Sequence, residues 1–535
     1  MVDGVALGGR LSEVLDRIYV HLLLYVAQSI TMHLFQLKVF TAVVVWSLTS
    51  AGATIPLAGD ELAGKCPITD VDQLGKKLSK AAKIFFPGSN EFLQASTRWS
   101  VLEVPKVNIV VVPGTEKDVA ETVKFANKKA VPFLAFNTAH GAITTLGRMD
   151  HGIEIYLSQL NDVKISPDGK TVEIGGGTVS KKVTDTLWAA EKQTVTGTCE
   201  CVSYMGPALG GGHGWLQGHH GIIADQILTM NVVLADGSFK MIDQRSDLFW
   251  AMKGAGHNFG IVTSVTAKIY DIEHRDWAIE TLVFSGDQVG EVYQAANEHL
   301  LRKQPVGVIN WSYWLNNPDA DPNNPIILFW IIQEGVRTVD PAITKPFRDI
   351  GPLSIEPVAG DYKDLAGWTG ISLSSPPCQK DGHVNPRFPL YLQSYNVPAM
   401  EKAYKFFASE IGGDSPFNGS LFMFESYSTQ GVRDIDSKST AFAFRDANLL
   451  IAPLITYKPA GPNIDKRAAD LGIGLRNILH KASGKEEMGV YVNYAFGDEN
   501  AKQLYGNEAW RQQKLRGLKK KYDPKGKFSF FGPVA

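Results

Sequence analysis

The chain alternates between two rhythms. Up to about residue 275, short apolar runs trade places with stretches whose apolar residues return at helical spacing. "VNIVVVP" reads as a buried strand stopped by Pro113. In "TEKDVAETVKFANKKA", Thr115 and Asp118 supply an N-cap and an acidic first turn. Val119, Val123, Phe125 and Ala126 fall roughly on one face of the helix that follows. "VPFLAFN" is the next strand. "GIEIYLSQLNDVKISPDGKTVEIGGG" alternates apolar and polar positions and predicts a hairpin turning at Pro167-Asp168-Gly169. "VSKKVTDTLWAAEKQ" is a helix. "DQILTMNVVLADGSFKMID" is a second hairpin, turning at Asp236-Gly237. "SDLFWAMKGAGHNFGIVTSVTAKIY" gives a helix, a glycine-rich turn and a strand.

Past residue 275 the runs lengthen. "WAIETLVF", "VINWSYWL", "NPIILFWIIQ" and "NLLIAPLITYK" read as long antiparallel strands, with helices such as 398–411 between them. The C-terminal stretch holds a strand, "YVNY", then an aromatic-rich helix and a turn. On a strand, Tyr491 and Asn493 share one face and Tyr494 takes the other. The pattern predicts an α+β protein with a mixed first domain and a second built on an antiparallel sheet. No repeat or low-complexity tract appears.

The N-terminus stands apart. Residues 1–31 carry an amphipathic stretch. Met32 then opens a segment in which Lys38 precedes an apolar run from Val39 to Leu48, followed by Ala51-Gly52-Ala53. This is the layout of a secretory signal, too short for a membrane span. We expect cleavage after Ala53 and a secreted protein, with residues 1–31 as an upstream extension of doubtful status. Sequons at Asn310 and Asn418 fit export. The net charge of −2 and the lack of a basic stripe argue against a nucleic-acid partner. Four cysteines are too few for a disulfide scaffold.

The densest chemistry lies in "CECVSYMGPALGGGHGWLQG", residues 199–218. It suits a tight turn, a metal site or a backbone wrapped round a ligand. "GDELAGKC" (59–66) nearly matches a phosphate-binding loop, but Cys66 stands where Ser or Thr must hold magnesium. Gly254–Gly260 misses the dinucleotide fingerprint by one residue. Cys199, Cys201, His213, His219 and His220 lack the usual zinc spacings, so no metal is expected. Without a Gly-x-Ser-x-Gly elbow an esterase triad has no anchor. What remains is a glycine wall round a large anionic ligand, or tight packing.

Four blocks in order decide between these: "NIVVVPGTEKDVAETVKFANKKAVPFLAFNTAHGAITT", "TGTCECVSYMGPALGGGHG", "DLFWAMKGAGHNFGIVTS" and "YVNYAFGD … YG … W … LKKKYDPKGKF". From about residue 66 onward the chain resembles the berberine-bridge-enzyme-like FAD-linked oxidoreductases of the vanillyl-alcohol-oxidase / p-cresol-methylhydroxylase superfamily, as a secreted fungal-type member. The resemblance implies a two-subdomain FAD-binding domain over 54–274, a substrate domain with a helix-covered antiparallel sheet over 275–479, and a segment over 480–535 returning to the FAD domain. It implies FAD bonded to His140 at the flavin 8α-methyl and to Cys199 at C6. The cofactor would further run along Asn137, Thr138, Ala139 and Gly141, along Gly197, Ser203, Gly206, Leu209, Gly210, Gly211, Gly212 and Gly214, and against Gly260, Val262 and Asn493.

Two stretches depart from the family pattern. Asn137-Thr138-Ala139 replaces a glycine-rich approach to the histidine. Ser203-Tyr204-Met205 is bulkier than usual, which leaves the electron acceptor open. Cys66 and Cys378 are candidates for a disulfide. The implied reaction is hydride loss from a small organic substrate to flavin N5, with reoxidation by O2 to hydrogen peroxide. Tyr494 is expected at the substrate, and it needs a neighbour to act as a base. Trp311, Tyr313, Trp314, Trp330 and Tyr391 are candidates for the cavity wall. Related enzymes oxidise alkaloids, sugars and polyketide-like metabolites. A carbohydrate oxidase of the same fold and a flavin-binding protein without turnover are the alternatives. A monomer, free of the membrane once the signal is cleaved, is expected.

Overall fold

The computed structural model describes residues 68–302 and 304–534. The extension 1–31, the signal segment 32–53, the start of the expected FAD domain and Cys66 lie outside the described residues. No described helix is long and apolar enough to cross a membrane.

Strands β1 (Lys83–Phe85), β2 (Val107–Val112), β3 (Phe133–Phe136) and β4 (Gly152–Tyr156) make a first sheet in the order β1-β2-β4-β3. β2 is apolar from Ile109 to Val112 because β4 flanks it in parallel and the helix Glu116–Lys128 covers it. That helix opens with the expected capping box, Thr115 and Asp118 each satisfying the other's backbone N–H. Asp118 also accepts from the Ser79 backbone N–H at 2.7 Å and from its hydroxyl at 2.6 Å, so the cap ties down the preceding turn.

β5 (Val163–Ile165) and β6 (Thr171–Gly175) are the first hairpin. The expected hairpin was longer. β4 belongs to the other sheet, because Leu157–Gln159 turns the chain away before β5 begins. β7 (Lys192–Gln193) forms a small ribbon with β11 (Tyr270–Asp271). β8 (Ile227–Val233) and β9 (Phe239–Asp243) are the second hairpin. With β10 (Ile261–Lys268) they complete a five-stranded sheet, β5-β6-β10-β8-β9.

The largest sheet has seven strands: β12 (Asp276–Phe284), β13 (Val308–Leu315), β14 (Ile326–Glu334), β15 (Ser354–Asp361), β16 (Leu390–Leu392), β17 (Leu421–Ser426) and β18 (Leu449–Leu454). They pair antiparallel in the order β15-β12-β14-β13-β17-β18-β16. Three of them (β15, β16 and β17) were not expected from the pattern. One face carries the helices Val289–Ala296, Val397–Ile411 and Pro462–Ala482. Trp314 is a core residue of that face, edge-on to Tyr404 and Phe422. Trp311 and Tyr313 take the opposite face, as the period of two requires.

The last fifty residues return to the first lobe. Thr144 donates its backbone N–H to Phe496 O at 2.8 Å, and Asn258 donates to Tyr505 Oη at 3.0 Å. Lys519 donates to Asn258 O at 2.9 Å. "YVNY" is a 3-10 turn, Val492–Tyr494, rather than a strand. Tyr494 donates its backbone N–H back to Tyr491 O, which replaces any sheet partner.

Candidate active site

Loop 137–141 leaves β3 and meets two other segments. Residues 97–101 lie beside it, and 380–387 from the second lobe lock onto those residues. Asn385 donates to Trp99 O at 2.8 Å, Lys380 donates to Thr97 O at 2.9 Å, and the Val101 N–H reaches His383 O. The Trp99 ring stacks 6.1 Å from the His140 ring. Beneath the loop, Arg98 pairs with Glu154 of β4, both buried, and lies 5.5 Å over Phe136. Burial raises the Glu154 carboxyl above the usual range even so.

His140 Nε2 sits 3.2 Å from Pro377 O, and Nδ1 lies 3.1 Å from the Thr138 hydroxyl. A carbonyl only accepts, so the ring proton belongs on Nε2 and the Nδ1 lone pair accepts from Thr138. Burial, helped by the Arg387 charge, lowers the His140 pKa to about 4, so the ring is neutral at physiological pH. Ala139 holds φ 56, a left-handed conformation costly for a residue with a Cβ. The departure from glycine at this position is thus a local strain, and the loop keeps its turn.

Cys199 arrives on the segment after the helix Ser180–Ala189. Its Sγ lies 3.6 Å from Cys201 Sγ and 3.7 Å from Cys378 Sγ. Cys201 and Cys378 are joined as a disulfide, which corrects the expected pairing of Cys378 with Cys66. Cys201 Sγ is also 3.4 Å from His140 Nε2. The three sulfurs lie within 4.8 Å of one another, a spacing a metal ion could use. The disulfide consumes two of them and leaves Cys199 as the one free thiol among the described residues. Burial pushes its pKa up to about 11.

The C-terminal turn brings Asn493 and Tyr494 to the same place. Asn493 donates to Pro207 O at 2.9 Å and accepts from His257 Nε2 at 3.1 Å. Tyr494 donates to Glu425 Oε1 at 3.0 Å, and Tyr427 donates to Glu425 Oε2 at 2.8 Å. Glu425 is 3% exposed, and burial raises its carboxyl to about 7 against the help of the two phenols and Arg387. Tyr494 is pushed well above the normal phenol range by burial and by the Glu425 charge. Tyr313 lies within electrostatic range of both Glu425 and Cys199. The Arg387 guanidinium lies 4.4 Å from the Trp99 ring centre and 4.5 Å from that of Tyr494.

So the structure brings together His140, Cys199, Asn493 and Tyr494, four residues taken from three separate sequence blocks. Thr138 accepts from the Ser203 N–H at 3.3 Å, and the Ser203 hydroxyl accepts from the Gly206 N–H at 3.0 Å, which joins the two loops. The extra bulk at 204–205 goes into the core, where Tyr204 and Met205 are buried. The glycines sit in close protein packing. A Cβ on Gly210 would fall 2.3 Å from Asn493 Oδ1, one on Gly212 2.7 Å from Ile223 Cδ1, and one on Gly214 2.1 Å from Thr196 O. Gly211 has φ +106 and faces Phe442, Gly260 abuts Val232, and Gly141 abuts Phe531. Protein atoms hold these positions to glycine. Leu209 packs on Gly256, and Val262 is core. Asn137 donates to Thr178 O at 3.4 Å, and a Cβ on Gly197 would lie 3.3 Å from the Ser180 hydroxyl. Sequence reasoning missed Glu425, Tyr427 and Arg387. The available signal was the single charge inside the apolar strand "LFMFES".

A bound flavin suits these residues. Neutral His140 offers a lone pair, and Cys199 offers a free thiol. The Thr178 hydroxyl is buried without a partner beside the two loops. Two sheets flanking such loops, with Glu425 of the third sheet bonded to Tyr494 of the C-terminal turn, fit a flavin-dependent oxidoreductase. Residues 107–242 match the family model described as "FAD binding domain". The chain is 61% identical over 94% of its length to the whole of "FAD-linked oxidoreductase chyH" of Penicillium rubens. In structure it is similar to Physcomitrella patens BBE-like 1, with TM-score 0.73 and 19% identity over 87% of this chain and 98% of the other. It is equally similar to glucooligosaccharide oxidase of Acremonium strictum, described as carrying a 6-S-cysteinyl, 8α-N1-histidyl FAD, with TM-score 0.73 and 19% identity over 86% of this chain and 98% of that one. The chain belongs to the FAD-linked oxidoreductases, and its fold is that of the berberine-bridge-enzyme-like oxidases.

Proposed function

We propose that the protein oxidises a small organic metabolite, an alcohol or an amine, as a monomer, with FAD held covalently through His140 and Cys199 and O2 as the terminal acceptor. The observation that carries this reading is the Tyr494–Glu425 hydrogen bond placed beside His140 and Cys199. Bound FAD supplies the acceptor for a hydride, and O2 then takes the electrons as hydrogen peroxide.

The chain's own part is to manage a proton. Tyr494 cannot rest as a phenolate, since burial and the Glu425 charge both oppose it. It acts as a relay: the phenol oxygen takes the substrate's O–H or N–H proton as its own proton passes to Glu425 Oε1. Tyr427 holds the second carboxylate oxygen and fixes the acceptor's orientation. Glu425, titrating near 7, is matched to this task at neutral pH. His140 Nδ1 and Cys199 Sγ are the two tether atoms. His140 is poised by its neutral state. Cys199 is kept available by the disulfide that occupies its two neighbours.

Export is part of the same proposal. A disulfide at the site supports an oxidising compartment. Of the two sequons, Asn418 is exposed and suits a glycan. Asn310 is 1% exposed inside β13 and bonds Trp330 O, so it is no acceptor.

The test is to precipitate the purified protein in acid and follow the yellow colour. Colour in the pellet, mapped to peptides carrying His140 and Cys199, is the expected result. Colour in the supernatant removes both tethers, and no colour in either fraction overturns the reading. Tyr494→Phe with full turnover would remove the relay.

A further inference from the structure

Arg387 is a charge without a counter-charge. Its guanidinium is sandwiched between the Trp99 and Tyr494 rings, 4.4 and 4.5 Å from their centres. Among the described residues no carboxylate lies within ion-pairing distance of it, and its Nε is buried with no hydrogen-bond partner. Glu425 feels its field, but both Glu425 oxygens are taken by Tyr427 and Tyr494. His140 and Cys199, which also lie in that field, are neutral groups.

Such an arrangement is costly to leave as it stands. A guanidinium in a half-buried aromatic slot loses water from both faces, and ring quadrupoles return only part of that loss. With two rings against it and Nε left unpartnered, the guanidinium has donors in hand that no protein acceptor uses. A planar fork of this kind matches a flat acceptor with two oxygens, taken bidentately. One arginine balances one negative charge, which favours a carboxylate over a phosphate dianion.

We propose that Arg387 is the receptor for a carboxylate carried by the substrate, so that the protein acts on an organic acid whose oxidisable carbon is presented to Tyr494 by this anchor. The inference rests on the proposed function and names its substrate class. The short path from Arg387 to the Tyr494 ring makes anchoring and proton removal parts of one site. It also gives the Trp99 ring a role, as the wall that holds the fork's orientation.

The probe is benzoate, a planar carboxylate suited to an aromatic slot, with benzamide as its uncharged isostere. The purified full-length protein is titrated with each. Binding is read from the visible flavin spectrum and, independently, from tryptophan fluorescence. Benzoate is expected to bind at least 30-fold more tightly than benzamide. Arg387→Gln is expected to weaken benzoate at least 30-fold, with unchanged flavin content and no effect on benzamide. Arg387→Lys should recover part of the loss, since it restores the charge without the fork. Equal binding of benzoate and benzamide by the unaltered protein overturns the proposal, and this comparison holds even if the variants do not fold. Unchanged benzoate affinity in a folded Arg387→Gln also overturns it, as does a variant whose flavin spectrum shifts while probe binding stays the same. A protein without flavin colour would sink the proposed function, whereas the fluorescence titration would still decide the role of Arg387.

Discussion

Glu425→Gln separates two consequences of one buried carboxyl. The residue is 3% exposed, and burial has raised its pKa from 4.5 to about 7. The folded state therefore holds the proton more tightly than the unfolded chain does. Folding carries no penalty from this group below about pH 4.5, and the penalty grows as pH rises toward 7. Above that it levels off at roughly 3 kcal/mol, the value of about 2.5 pKa units. Glutamine keeps the shape and stays uncharged. At pH 8.5 the variant should be the more stable protein. With the usual unfolding entropy per residue, a chain of 535 residues shifts its thermal midpoint by about 1 °C per kcal/mol, so the gain is about 3 °C. At pH 5 the gain should fall below about 1 °C. Activity should move the other way. Wild-type kcat/KM should climb with pH and level off near 7, as Glu425 becomes able to accept the Tyr494 proton. The variant should lose that limb and about 10²- to 10⁴-fold in kcat/KM. Differential scanning at the two pH values and a pH–rate profile are the assays. A variant that keeps the rising limb, or is less stable than wild type at pH 8.5, refutes the reasoning.

Three further outcomes follow from packing. Arg98→Met strands the buried Glu154 carboxylate and should cost about 3–5 kcal/mol, read by denaturant unfolding at pH 7. Gly214→Ala places a Cβ 2.1 Å from Thr196 O, and the protein should be recovered in poor yield and with depleted flavin colour. Ala139→Gly, at φ 56, should leave the unfolding free energy within about 0.5 kcal/mol, whereas Ala139→Val should cost about 1–2 kcal/mol and lower flavin incorporation, read from the ratio of visible to ultraviolet absorbance.

The first lobe was legible because its signals are local. The capping box at Thr115 and Asp118, the turns at 167–169 and 236–237, and the periodicity of 116–128 all lie within a few residues of what they determine. His140 and Cys199 were found through sequence blocks and are neighbours in space. The proton relay was not legible. Tyr494 and Glu425 are 69 residues apart, and their contact depends on the register of β17 and on a 3-10 turn that a strand pattern concealed. Three apolar residues followed by a turn support either structure, and only the missing sheet partner decides. Arg387 escaped for a similar reason, since its meaning comes from rings at 99 and 494. The strands β15 and β16 were missed because an edge strand carries exposed polar residues and a three-residue strand has too short a period to detect, and β17 because Glu425 and Ser426 break its apolar run.

The disulfide between Cys201 and Cys378 spans 177 residues and stitches the loop bearing the free thiol to the second lobe. Mechanically it is a rivet. With the seam at 201 and 378 fixed, the two lobes cannot part there like the halves of a shell, and any breathing must pivot about that point and open elsewhere. Traffic of ligands is thereby confined to edges the rivet does not close.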